Sequence, residues 1–262
     1  MSSSFNVRDV YYTFDQPVPF MDMLFYPVKM KDYYNLSFFS TCLTLEKTAD
    51  PDPIKTISMS YLDYLFYASQ KNKSASYIYL LDALLRLCLG KKQEDEFEIK
   101  YYTNDVGKAE ISISGQIISS NDFYEIRKII CEQNDIEIPD ETIQKNVRDA
   151  LEEARRYKMK LLGKNVAGLE DQMVALSIYT GWTLNDIYDM TIRKFRRTIR
   201  RADHMIYQEA YLHGEMGGMV SFKDKSILSG WLAEISDGDR YSDVKMDLGE
   251  LKGKADFSSA KK

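Results

Sequence analysis

Apolar residues return every three or four positions along most of this chain and alternate over one short stretch, which predicts helices interrupted by a β-hairpin. The longest periodic run is residues 183–213, TLNDIYDMTIRKFRRTIRRADHMIYQEAYLH, which holds neither Pro nor Gly. Ile187, Thr191, Phe195, Ile199, Ala202, Ile206, Ala210 and His213 follow in steps of four and three, as one face of a helix does. Thr183, with Asp186 three residues on, resembles a capping box, and Gly214 marks a stop. A single helix of that length spans about 45 Å, enough to serve as the spine on which other elements pack.

The remaining pattern fills in around it. Residues 1–29, with Pro17, Pro19 and Pro27 in an aromatic stretch, read as extended, and residues 30–47 as helix. Asp50-Pro51-Asp52-Pro53 is a turn. Residues 58–69 and 76–89 read as two helices joined by a short polar loop. The second is apolar nearly all round and so expected to be deeply buried. Phe97, Ile99 and Tyr101 alternate with polar positions, as do Ile111, Ile113, Gly115 and Ile117, around a turn at residues 104–108. Further helices are expected from a cap at Asn121-Asp122, over 142–162 and 169–179 as two charged amphipathic helices ended by Gly163 and Gly181, and over 227–235 with Trp231. The fold class expected is mainly α (α+β): a helical domain with one β-hairpin and a long C-terminal helix. Its divisions are an extended arm over 1–29, a helical region over 30–92, and hairpin plus helices over 93–182. The long helix with a Gly/Met joint follows over 183–235, then a flexible tail over 236–262.

Composition narrows the chemistry. Net charge is −5 over 262 residues, which argues against a dedicated nucleic-acid binder. Nineteen Tyr and twelve Met suit either a soft core or an adaptable interaction surface. Cys42, Cys88 and Cys131 are odd in number and form no CxxC pair, as expected for free thiols in a reducing compartment. Two histidines exclude a His-rich metal site. The start lacks a secretory pattern, and no apolar run approaches the roughly 20 residues of a membrane span. A soluble protein of the host cytoplasm, or of a virion, is expected. No phosphate-binding loop, nucleophile motif or isolated carboxylate occurs, so no catalytic residue, cofactor or metal is assigned and a non-enzyme is expected.

Two features point to partners. Residues 193–201 carry six cations, with Arg193, Arg196, Arg197 and Arg200 sharing one helical face and Arg201 beside them. They read as a solvated face, a ridge for an acidic protein, or a phosphate-binding ridge. Gly214, Gly217 and Gly218 with Met216 and Met219 read as a joint or a contact for an apolar client. Phe20, Phe25 and Tyr26 in the N-terminal arm need cover if exposed.

The segments YPVKMKDYYNLSFFSTCLTLEK, DPIKTISMSYLDYLFY, DFYEIRKIICEQNDIEIPDETI and MTIRKFRRTIRRADHMIYQEAYLHGEMGGMVSFKDKSILSGW resemble proteins of the tail-gene modules of phages that infect Gram-positive bacteria. The resemblance covers about residues 24–245 and extends to tail-assembly chaperones. It implies a largely helical, non-catalytic protein that holds the tape-measure protein soluble while tube subunits polymerise. The chain is longer than short chaperones of that kind and contains a hairpin. Chaperones of this type also occur in frameshifted longer forms, with which the Ala260-Lys261-Lys262 ending is compatible. Two rivals stand beside the chaperone reading. One is a structural tail, baseplate or connector subunit; the other is a nucleic-acid-binding phage protein using residues 193–201. Homo-oligomerisation is compatible with all three.

Overall fold

A computed structural model describes residues 7–71, 76–91, 97–139, 145–161 and 167–218. The expected helix over 227–235, the tail over 236–262, Gly163 and Met219 lie outside the described residues.

The chain opens with helix α1, Val7–Thr13, and the hairpin β1, Val18–Phe20, with β2, Met23–Phe25. This corrects the expectation of an extended arm. Val18 and Phe25 are buried, and Met21 takes a positive φ of 53° in the two-residue loop. Three hydrogen bonds staple the segment down. Gln133 Nε2 donates to the Phe25 carbonyl (3.0 Å), Tyr26 N to the Cys88 carbonyl (2.7 Å), and Val28 N to Asn134 Oδ1 (2.8 Å).

The helix expected over 30–47 is broken into a 3-10 turn, helix α2, Tyr33–Phe39, and a second 3-10 turn ending at Leu43. A short helix absent from the sequence reading, α3, Pro53–Ser58, starts on the Asp52 cap with Pro53 in its first turn. Helices α4, Tyr61–Lys71, and α5, Tyr77–Cys88, are the anticipated pair. Asp63 does two jobs at the start of α4. One carboxylate oxygen accepts from Ser60 Oγ (2.6 Å), and the other accepts from Ala109 N (2.7 Å), tying helix to sheet.

The expected hairpin is a three-stranded antiparallel meander: β3, Ile99–Thr103, β4, Ala109–Ile113, and β5, Gln116–Ile118. What reads as one alternating strand over 111–117 turns back at Ser114-Gly115. Their φ values of 49° and 86° suit a tight two-residue hairpin turn, where Gly pays no Cβ penalty. Ala109, Ile111 and Ile113 face inward. Helix α6, Ser120–Gln133, follows with a capping box on Ser119 and Asp122, two residues before the expected cap. Leu62 and Leu65 of α4, Leu81, Leu84 and Leu85 of α5, Ile111, and Phe123, Ile126 and Ile130 of α6 form the dry core.

Beyond it come α7, Lys145–Leu161, α8, Leu169–Thr180, α9, Leu184–Asp189, and α10, Ile192–Met216. The single spine is therefore two helices. Their break has a tertiary cause: the Met190 carbonyl accepts from Met30 N (2.8 Å) and Ile192 N donates to the Val28 carbonyl (3.0 Å). Those backbone groups are thus spent on a bridge between Lys29 and Thr191. Thr191 Oγ1 then accepts from Lys194 N (3.3 Å) and donates to Asp15 Oδ1 (2.8 Å), starting a new helix. The anticipated apolar face is buried at Ile187, Thr191 and Phe195, half-buried at Ile199 and Ala202, and exposed at Ile206, Ala210 and His213. The helix also runs through Gly214 to Met216.

By internal packing the chain divides into two units. Met1–Glu141 with Gln172–Asp203 holds the core; Thr142–Asp171 with His204–Lys262 holds α7 and the latter half of α10. The architecture is mainly α, with small antiparallel sheets, as expected.

Candidate functional site

The arginine-rich stretch is largely employed inside the first unit. Helix α6 ends at Gln133, and the chain reverses through Asp135 at φ 56°, a left-handed conformation that Asp tolerates better than most residues. Carbonyls at a helix C-terminus carry partial negative charge and attract cations. Arg193 Nη1 donates to the Glu132 carbonyl and Arg196 Nη1 to the Asp135 carbonyl. Arg200 Nη2 donates to both Asp135 carboxylate oxygens, at 3.2 and 3.0 Å. Arg193 also lies 5.1 Å from the Tyr12 ring centroid and Arg196 5.9 Å from that of Tyr33. Burial first, and then the neighbouring Arg197 charge, pull the Arg193 pKa down. Arg201 is half-buried, whereas Arg197 is exposed. The ridge is thus a clasp made by three arginines, with Arg197 facing solvent.

The other sequence candidates separate in the same way. Phe25 is fully buried and Phe20 half-buried, while Tyr26 is exposed. Met216 is 85% exposed at the end of α10. Among the described residues no helix is long and apolar enough to cross a membrane, and no cluster of His, Cys, Asp or Glu could hold a metal ion.

The surface that sequence reasoning missed lies on α8 and α9. Leu169, Met173, Val174, Ala175, Leu176, Ile178 and Tyr179 spread around every side of α8, yet only Leu176 is fully buried. A helix apolar all round is ordinarily enclosed. Here Val174, Tyr179, Trp182, Leu184 and Tyr188 are exposed, and Ile178 is 80% exposed. This surface is held firmly. Thr180 Oγ1 donates to the Leu176 carbonyl (2.7 Å), Ser177 Oγ to the Trp182 carbonyl (2.6 Å), and Trp182 N to Thr180 Oγ1 (3.2 Å). The anticipated capping box then starts α9, with Thr183 Oγ1 donating to Asp186 Oδ2 (2.6 Å) and Asp186 N donating back to Thr183 Oγ1 (3.2 Å). These bonds lower the Asp186 pKa. The signal available in the sequence was that the apolar residues of α8 do not gather on one side of it.

Residues 162–236 match the family model of the YomV second domain. This is a phage-derived family, and the similarity is consistent with a phage protein. The YomV-like stretch covers less than half of the chain and includes α8, α9 and α10, hence both the exposed apolar surface and the arginines. No curated protein and no solved structure matches the chain.

Proposed function

We propose that the protein is a non-enzymatic phage assembly factor whose α8–α9 surface holds an amphipathic helix of a client, the tail tape-measure protein being the candidate. The observation that carries this reading is a helix whose apolar residues are spread around its circumference and on which, among the described residues, Leu176 alone is fully buried. Trp and Tyr on a rigid support are the groups that anchor protein interfaces, because they bury large area at small entropy cost. An amphipathic helix presents apolar residues at matching spacing and is the form in which a long helical client exposes its sticky face. The YomV-like similarity supports a phage setting, and Arg197 with Lys194 supplies outward positive charge for acidic positions on the client.

The test is affinity purification of the tagged protein from nuclease-treated, phage-infected cells, alongside an Ile178→Asp/Trp182→Ala variant. Stoichiometric recovery of a very long helical phage protein by the parent chain, and its loss with the variant, is the expected result. Recovery of tube, baseplate or connector subunits, with the protein also present in finished virions, would replace the reading with a structural one. Recovery that vanishes on nuclease treatment would replace it with nucleic-acid binding.

A further inference from the structure

A second site lies in the first unit, away from the apolar surface in sequence and opposite to it in chemistry. A cleft of about 700 Å³ opens where α4 and α6 begin, a size suited to a small ligand. Among its described lining residues the charged ones are Lys47, Arg127, Lys128 and Glu132: three cations and one carboxylate, in a chain whose net charge is −5.

Two of those cations are buried and fixed. Arg127 is 4% exposed; its Nε donates to the Leu43 carbonyl (2.9 Å), and its guanidinium carbon sits 3.5 Å from the Tyr61 ring centroid. Tyr61 is itself locked, its hydroxyl donating to the Cys42 carbonyl (3.0 Å) and accepting from Leu45 N (2.9 Å). Lys47 is 8% exposed and donates to the Met59 carbonyl (2.9 Å). The carboxylate is occupied: Glu132 accepts from the Tyr12 hydroxyl (2.9 Å) and lies 3.9 Å from Lys128.

Ser60 and Ser120, at the starts of α4 and α6, line the same cleft with their Oγ atoms 3.1 Å apart, and the carboxylates of Asp63 and Asp122 already cap those two helix starts. Ile136, Ile138 and Pro139 give the same lining an apolar part. Fixed cations and apolar side chains in one lining define the chemistry of the ligand.

We propose that this cleft binds an organophosphate, its phosphate group against Arg127, Lys47 and Lys128 and its apolar body against Ile136, Ile138 and Pro139. Arg127 suits phosphate because its planar fork is already oriented by the Tyr61 ring and the Leu43 carbonyl. Binding requires no covalent step. Burial raises the thiol of Cys131, which also lines the cleft, to about 12, so it enters as a neutral wall atom rather than a nucleophile.

The experiment titrates the full chain with phenyl phosphate, and separately with inorganic phosphate, by calorimetry and thermal shift against chloride at matched ionic strength. Phenyl phosphate is expected to raise the melting temperature and to bind more tightly than inorganic phosphate. Lys128→Glu, at a half-exposed position, should weaken it by about tenfold, and Arg127→Met by roughly tenfold to a hundredfold. Arg197→Glu should leave it unchanged. If Arg127→Met does not fold, Lys128→Glu and Lys47→Met decide. Equal binding of the two phosphates would overturn the organophosphate assignment. Absence of any shift beyond chloride, or a shift that survives Lys128→Glu intact, would overturn the site.

Discussion

Helices α5 and α8 are each twelve residues long and apolar on nearly every side, yet they end in opposite surroundings. On α5, Leu81, Leu84, Leu85 and Cys88 are buried against the chain's own core. On α8, Leu176 alone is buried, and Ile178 stands open to solvent. Similar local chemistry thus serves stability in one helix and leaves apolar area exposed in the other. The largest expected effect follows directly. Leu85→Ala should cost about 2–5 kcal/mol in denaturant unfolding, from lost transfer energy and the cavity left behind. Ile178→Ala should change stability by no more than about 0.5 kcal/mol. A comparable loss at Ile178 would mean that α8 is enclosed by its own chain and is no docking surface.

The contrast can be sharpened with thiols. Burial raises the pKa of Cys88 on α5, and likewise that of Cys42, with the neighbouring Cys131 adding to both. A thiol introduced as Ile178→Cys on α8 should react with a disulfide reagent at once, whereas Cys42, Cys88 and Cys131 should react only as the protein unfolds. A raised folded pKa also sets the pH dependence. Native thiols keep their protons while unfolded thiols lose them above about pH 8.5. This contribution is complete below that pH and is lost as pH climbs toward the folded values, Cys131 reaching about 12. Urea midpoints measured from pH 7 to 10 should therefore fall above about pH 8.5. A flat profile would show that the three thiols are not protected.

The clasp at the end of α6 should show a smaller effect. Asp135→Asn keeps a side chain that tolerates the left-handed backbone but removes the charge facing Arg196 and Arg200. Because these groups are partly exposed, a loss of about 1 kcal/mol is expected, shrinking in high salt. A salt-independent loss would point to backbone strain instead.

Much of this was legible in the residues. The Thr183–Asp186 box and the alternation over 99–101 and 111–113 each reflect a local rule, and each appears at its place. The break at Met190 was not legible, because residues 28–30, far away in sequence, take its hydrogen bonds. Phe25 resembled an exposed arm residue because its cover comes from distant elements. The cationic cleft was invisible for the same reason: Lys47 and Arg127 lie 80 positions apart, and only the packing of α4 and α6 brings them to one cavity. Periodicity along the chain states which faces are apolar, but not whether the chain itself will cover them.

The smallest expected effect, at Arg197, tests that distinction against its neighbour in sequence. Arg196 and Arg197 look interchangeable in the run RKFRRTIRR, but a rotation of about 100° per residue separates them on the helix. Arg196 donates to the Asp135 carbonyl, while Arg197 is exposed. Arg196→Glu should lower stability by about 1–2 kcal/mol, by setting a carboxylate against Asp135 and the helix end. Arg197→Glu should leave unfolding unchanged to within about 0.5 kcal/mol. If Arg197 faces an acidic client, its reversal should instead weaken capture of that client at low salt, and the difference from the parent chain should narrow as salt rises. Equal capture at every salt concentration would leave α8 and α9 as the whole of the docking surface and Arg197 as a solvated charge.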